Sequence, residues 1–263
     1  MRILSLMLSA LLLMSFDGPQ KMRDAVRLYD NSMFSRSRTV FDDIAEGSES
    51  SDPEGFSVLS QVRSAAPGYE TAMESFIRRN PHSVHVPQIR WHYAMNLFDD
   101  HNYKAAGEML ASVSIDDLYK TQRVDYLFRK GYCDLEIHDL DSAWKNFLLV
   151  EAESFSDYTL PSRYALGYIS YVNEDFKTAV DWFEKSSRDS RFAAMSGYYI
   201  MESRFMLDDY RFVTANADEM YEAVPDELKP RLARIVSESW LVLGDADKAR
   251  RYLELNTQGG GKP

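Results

Sequence analysis

The residues in this sequence that could run chemistry are five histidines, one cysteine and several adjacent carboxylates. His82 and His85 are close enough in sequence to share a metal only if the stretch from Pro81 to Pro87 is helical, and Pro87 discourages that. They read as loop or surface histidines, as do His92, His101 and His138. Cys133 is the only thiol, so neither an internal disulfide nor a cysteine-based zinc site can form. It falls at a small-residue position of the repeat described below and reads as buried filler. Asp99–Asp100, Asp116–Asp117 and Asp208–Asp209 lie at expected turns and helix starts, where carboxylates cap helices and complement their dipoles. General acid or base work needs such a group in an apolar pocket, and a turn does not supply one. The sequence contains no glycine-rich phosphate loop, no G-x-S-x-G and no H-E-x-x-H. The reading is therefore of a protein that is not an enzyme and has no cofactor and no metal.

The elements that must position these side chains repeat. An aromatic residue or leucine, a small residue three later and a large apolar one four further on recur in seven phrases, with alanine replacing the last member of the sixth and the first of the seventh: Phe34-Ser37-Phe41, Tyr69-Ala72-Phe76, Tyr103-Ala106-Leu110, Leu140-Ala143-Phe147, Phe176-Ala179-Phe183, Tyr210-Val213-Ala217 and Ala246-Ala249-Leu253. The small positions 37, 72, 106, 143, 179, 213 and 249 are separated by 35, 34, 37, 36, 34 and 36 residues. Offsets of 0, 3 and 7 share one helix face, and a small residue there lets a second backbone approach. Polar turns precede these helices, with Asn102, Asp139, Asp175, Asp209 and Asp245 placed to cap them. Ala94, Gly131 and Gly167 stand twelve positions before their small partners and mark where a first helix crosses the second. Met201 and Ser237 take that place in the last two repeats, which predicts looser or shifted packing there. Glu46 to Gly55 reads as a polar loop leading into a weak helix.

A chain of 263 residues with 45% hydrophobic and 27% charged content can bury a large core, which excludes disordered and collagen-like classes. Its formal charge of -11 repels nucleic-acid backbones and anionic lipid, so nucleic acid is not an expected partner. Arg2 followed by the uncharged run from Ile3 to Phe16 reads as a signal peptide or signal anchor over residues 1–19. The run is short for a membrane span of about 20 residues. Contact with a membrane is expected only through this segment, and the protein is expected in the periplasm or cell envelope. No cysteine follows the run closely enough to carry a lipid.

These phrases resemble the tetratricopeptide repeat, most closely at Phe176-Lys177-Thr178-Ala179 with Phe183 and at Gly244-Asp245-Ala246 with Ala249; Val213-Ala217 is a degenerate copy. The resemblance covers residues 20–256. Asn80-Pro81-His82-Ser83 followed by Val86-Pro87 is similar to the phrase that introduces repeats in periplasmic proteins of this type from Gram-negative bacteria, including those of outer-membrane assembly and the Tol-Pal system. The resemblance implies an all-α fold, a right-handed superhelical solenoid of about seven antiparallel hairpins, and a non-enzymatic scaffold or adaptor binding a protein partner in its concave groove.

In the family the first helix of each repeat lines that groove. Carried over position by position, this gives Trp91, Met95 and Phe98; Phe128 and Tyr132; Tyr164, Tyr168 and Tyr171; Tyr198, Glu202 and Phe205; and Arg234, Glu238 and Leu241. Phe98, Phe128 and Phe205 read as core between repeats. Trp91, Tyr132, Tyr164, Tyr168, Tyr171, Tyr198 and Glu202 are the expected partner-binding set, since a tyrosine hydroxyl suits a wet interface. A glycan- or peptidoglycan-binding envelope component is the alternative, because the same rings stack on sugars. Residues 257–263 read as a flexible tail and a possible truncation point, with no capping helix over the last repeat.

Overall fold

A computed structural model describes residues 18–153 and 156–259, and the leader-like run lies outside them. The described residues are helical hairpins throughout, and the fold is an all-α helical-repeat array. The chain divides into two compact units, Met1–Ile137 and His138–Pro263. In the first, α1 (18–30) pairs with α2 (Phe34–Ala45), α3 (Asp52–Arg63) with α4 (Tyr69–Arg79) and α5 (Val86–Asp99) with α6 (Tyr103–Ala111), and α7 (Arg123–Glu136) packs on α6. In the second, α8 (Leu140–Ala152) packs on α9 (Thr159–Val172), which pairs with α10 (Phe176–Ser186). Then α11 (Ser190–Met206) pairs with α12 (Tyr210–Ala215) and α13 (Ala217–Ala223), and α14 (Lys229–Val242) with α15 (Ala246–Gly259).

The periodic small residues sit where close packing needs them. Ser37, Ala106, Ala143, Ala179, Val213 and Ala249 are fully buried. Ala72 is only partly covered because α4 turns Met73 and Phe76 inward. Counting twelve residues back from each gives Ala25, Ser60, Ala94, Gly131, Gly167, Met201 and Ser237, and all seven are buried. Gly167 shows why size matters: a Cβ there would stand 2.8 Å from the Phe183 ring. Gly107 plays the same part toward α7, where an added Cβ would lie 3.1 Å from that of Cys133. Cys133 is fully buried, and burial pushes its thiol up to about 11.

Each turn from a first to a second helix has a residue with left-handed backbone just after the first helix: Ser32, Ala65, His101, His138, Glu174, Asp208 and Gly244, with φ between 46° and 84°, and the turn before α4 adds Gly68 at 80°. Of the seven, only Gly244 is glycine. In six of these turns main-chain bonds close the loop. In the turn at Glu174, for example, its own N–H donates to Tyr171 O at 3.0 Å and the next N–H to Ser170 O at 2.9 Å. The expected caps then form: the side chains of Asn102, Asp139, Asp175, Asp209 and Asp245 accept the N–H three residues on, at 3.0–3.4 Å.

Three expectations need correction. The loop after α2 is shorter than Glu46 to Gly55, because Asp52 to Gly55 form the first turn of α3; a proline in a helix's first turn loses no hydrogen bond, and Asp52 and Glu54 favour the dipole. Packing of the last hairpin is not loose, since Ser237 and Ala249 are fully buried, whereas the shift is real one hairpin earlier, where the second helix is broken between α12 and α13 at Asn216. In α15 the inward residue is Tyr252, not Leu253, which is exposed. The Tyr252 hydroxyl donates to Asp218 at 2.5 Å and its ring meets Tyr221, so this helix faces α13 through the neighbouring position. Beyond these, α15 continues to Gly259, into the stretch read as a tail.

Candidate functional site

In the first unit, α3 presents Asp52, Phe56, Leu59 and Arg63 along one face, and His85, Gln88 and His92 follow the same helical spacing into α5. With Tyr29 and the segment 119–122 they enclose a groove of about 720 Å³. Its polar groups are held in place before any ligand arrives. The Arg63 guanidinium carbon lies 4.9 Å from the Tyr29 ring centre and 4.5 Å from that of Phe34. Gln88 and Gln122 exchange amide hydrogen bonds of 2.9 and 3.0 Å.

His85 is the most constrained of these residues. It is only 7% exposed, its ring packs edge-on against Phe56 at 4.5 Å, and a side chain at Gly55 would collide with it. Its Nε2 faces Asp52 Oδ1 at 3.5 Å, a long contact at the limit of a hydrogen bond. Burial lowers its pKa, opposed by Asp52. For His92, burial and the Arg63 charge together lower it to about 4. Both imidazoles are therefore neutral near pH 7, each able to give or accept one hydrogen bond. Neither is the surface or loop histidine that its place in the sequence suggests. Among the described residues no group of three histidine, cysteine or acidic side chains could hold a metal ion, and no helix is long and apolar enough to cross a membrane.

In the second unit five of the expected residues come together. Tyr164, Tyr168 and Tyr171 on α9 ring Tyr199 of α11 at centroid distances of 6.3, 6.0 and 5.0 Å, and Tyr199 stacks on Phe183 at 5.1 Å. Glu202, 5% exposed, accepts the Tyr171 hydroxyl at 2.7 Å and that of Tyr198 at 2.5 Å, and pairs with Arg231 of α14 at 3.1 Å. Burial first, then the Glu202 carboxylate, raises the pKa of Tyr171 and Tyr198, and burial pushes Tyr164 up to about 12. Tyr164, Tyr168 and Tyr171 remain half-buried, while Tyr198 is interior at 1% exposure. Tyr199, the hub of this cluster, was not among the expected residues; its neighbour Tyr198 occupied the position carried over.

The other two expected residues belong to the first unit. Trp91 is buried at 3% exposure, beside Tyr126. Tyr132 is half-buried against Phe98 and Tyr103, and burial with Glu136 pushes it up to about 12. Phe98, Phe128 and Phe205 are partly buried, Arg234 pairs with Glu238 at 2.9 Å, and Leu241 is exposed.

Successive hairpins with small residues at nearly every crossing, Met201 being the exception, define a helical-repeat protein. No protein-family model matches the sequence, and no curated protein matches it either. Among solved structures it is similar to a tetratricopeptide repeat protein from Parabacteroides merdae ATCC 43184, with TM-score 0.49 and 10% identity over 94% of each chain. It is also similar to the apo form of RapI, with TM-score 0.49 and 11% identity over 92% of this chain and 97% of that one.

Proposed function

We propose that this protein is a non-enzymatic scaffold or adaptor of the bacterial cell envelope, which holds a segment of a partner protein against the inner faces of its first helices. The observation that carries this reading is the groove of the first unit, where His85 is held edge-on against Phe56 with Asp52 Oδ1 3.5 Å from its Nε2. Phe56 and Leu59 offer apolar contact beside it, and Tyr29, Arg63 and the Gln88–Gln122 pair offer polar contacts, the mixture an extended polypeptide presents in return. The half-buried tyrosines Tyr164, Tyr168 and Tyr171 supply a second set of contacts of the same kind. Location in the envelope rests on the apolar run from Ile3 to Phe16.

Photocrosslinking tests the groove. A benzophenone side chain at Thr121, on the groove, should give one defined protein adduct in cells, and a second substitution, His85→Phe, should abolish it without moving Tm by more than a few degrees. An adduct unaffected by His85→Phe, or the same adduct from a benzophenone at Lys145 on α8, would defeat the proposal. Fractionation of cells expressing the full chain decides the compartment.

A further inference from the structure

The first three turns and the last three differ in their side chains, with Glu136-Ile137 between them already carrying an exposed apolar residue. The two residues before each left-handed residue are Asp30-Asn31, Arg63-Ser64 and Asp99-Asp100 in the first three turns. In the turns of the second unit they become Val172-Asn173, Met206-Leu207 and Val242-Leu243. Val172, Met206 and Val242 are 45%, 54% and 62% exposed, with Leu207 and Leu243 also exposed beside them. Since the same backbone turn carries charged and polar pairs in the first three repeats, folding does not demand apolar residues here. An exposed apolar strip that folding does not require is the mark of an interaction surface.

The residues that follow identify the occupant. Each apolar pair runs into carboxylates: Glu174-Asp175, Asp208-Asp209 and Asp245. Asp209 and Asp245 pair with Arg204 and Lys248, at 3.4 and 3.2 Å. Glu174, Asp175 and Asp208 form no salt bridge among the described residues, Asp175 serving as a helix cap and Asp208 accepting the Tyr210 hydroxyl. The strip is thus bordered by uncompensated negative charge, which favours a cationic partner and disfavours an anionic membrane.

Spacing sets the partner's shape. α9 packs on α11 and α11 on α14, so the three turns lie at the same end of neighbouring helices. Packed helices stand about 8–10 Å apart. Seven residues of an α-helix advance about 10.5 Å. We infer that the turn edge of the second unit binds a basic amphipathic helix of a partner protein, with an apolar residue at each heptad seated on Val172, Met206 and Val242 and lysine or arginine side chains facing Glu174, Asp175 and Asp208. This surface is separate from the groove of the first unit and stands or falls without it.

The test uses the full chain and two fluorescent helical peptides of eighteen residues, with leucine at heptad positions and either lysine or glutamate elsewhere. The lysine peptide should bind, and the glutamate peptide at least tenfold more weakly. Val172→Ser, Met206→Ser and Val242→Ser together leave the net charge unchanged and should weaken the lysine peptide at least tenfold, with Tm retained. Glu174→Lys alone, which serves if the triple variant does not fold, should weaken the lysine peptide and strengthen the glutamate one. Equal affinity of the two peptides, or indifference to the substitutions, would overturn the inference. So would sedimentation showing a wild-type dimer that the serine variant reduces to monomer, because a second copy would then be the occupant.

Discussion

The Tyr171 hydroxyl of α9 donates to the Glu202 carboxylate of α11 at 2.7 Å, joining the first helices of consecutive hairpins across 31 positions of sequence. The other oxygen of that carboxylate takes the Tyr198 hydroxyl and Arg231, so a buried charge is satisfied from three sides. Hydrogen bonds to charged groups contribute roughly 1.5–3 kcal/mol, less where solvent reaches them. Tyr171→Phe should therefore cost about 1–2 kcal/mol. Glu202→Leu should cost more, since it leaves the buried Tyr198 hydroxyl and Arg231 without their partner. Urea unfolding of the two variants measures both, and an unchanged midpoint in each would show that the cluster does not hold these hairpins together.

The left-handed turns give a prediction of opposite sign. A side chain in that conformation costs about 1–2 kcal/mol, offset in part by the greater freedom of glycine in the unfolded chain. Ala65→Gly and Glu174→Gly should each stabilise the protein by about 0.5–1 kcal/mol, and Gly244→Ala should destabilise it by a similar amount. Thermal unfolding would contradict the assigned backbone if the first two lowered Tm or the third raised it.

Acid should weaken the first unit through His92. Its pKa is lowered from 6.5 to about 4 in the folded protein, so the unfolded chain binds more protons between these values and stability rises with pH across that window. The contribution is complete above pH 6.5 and is lost as the pH falls toward 4. The shift of 6.5 − 4 = 2.5 corresponds to roughly 3 kcal/mol at most. His92→Gln should flatten the dependence of the urea midpoint between pH 4.5 and 7. Identical slopes in wild type and variant would assign the acid sensitivity elsewhere.

The period of the array was legible because close helix crossings favour small side chains, and Ser37, Ala106, Ala179 and Ala249 repeat that preference in plain view. Ala25 and Ser60 obey the same twelve-residue offset but follow an apolar run and a polar loop, which masks their periodicity. Burial of individual rings was less legible. Trp91 and Tyr198 each stand three residues before a crossing position, on the face drawn between helices, and one sequence cannot say how far a neighbour covers that face. The groove around His85 was not legible at all. Its wall comes from four separate segments, and no local pattern records that Gly55 makes room for an imidazole presented thirty residues later.

One consequence follows from turns that close on their own main chain. Because amide-to-carbonyl bonds set the geometry of six of these turns, exposed side chains such as Val172, Met206 and Val242 have no part in closing them. Asp30 and Asp100 in one unit and Val172, Met206 and Val242 in the other are different messages written on one kind of page. Mutation can rewrite such positions singly, changing which molecules the surface admits while the scaffold beneath stays the same.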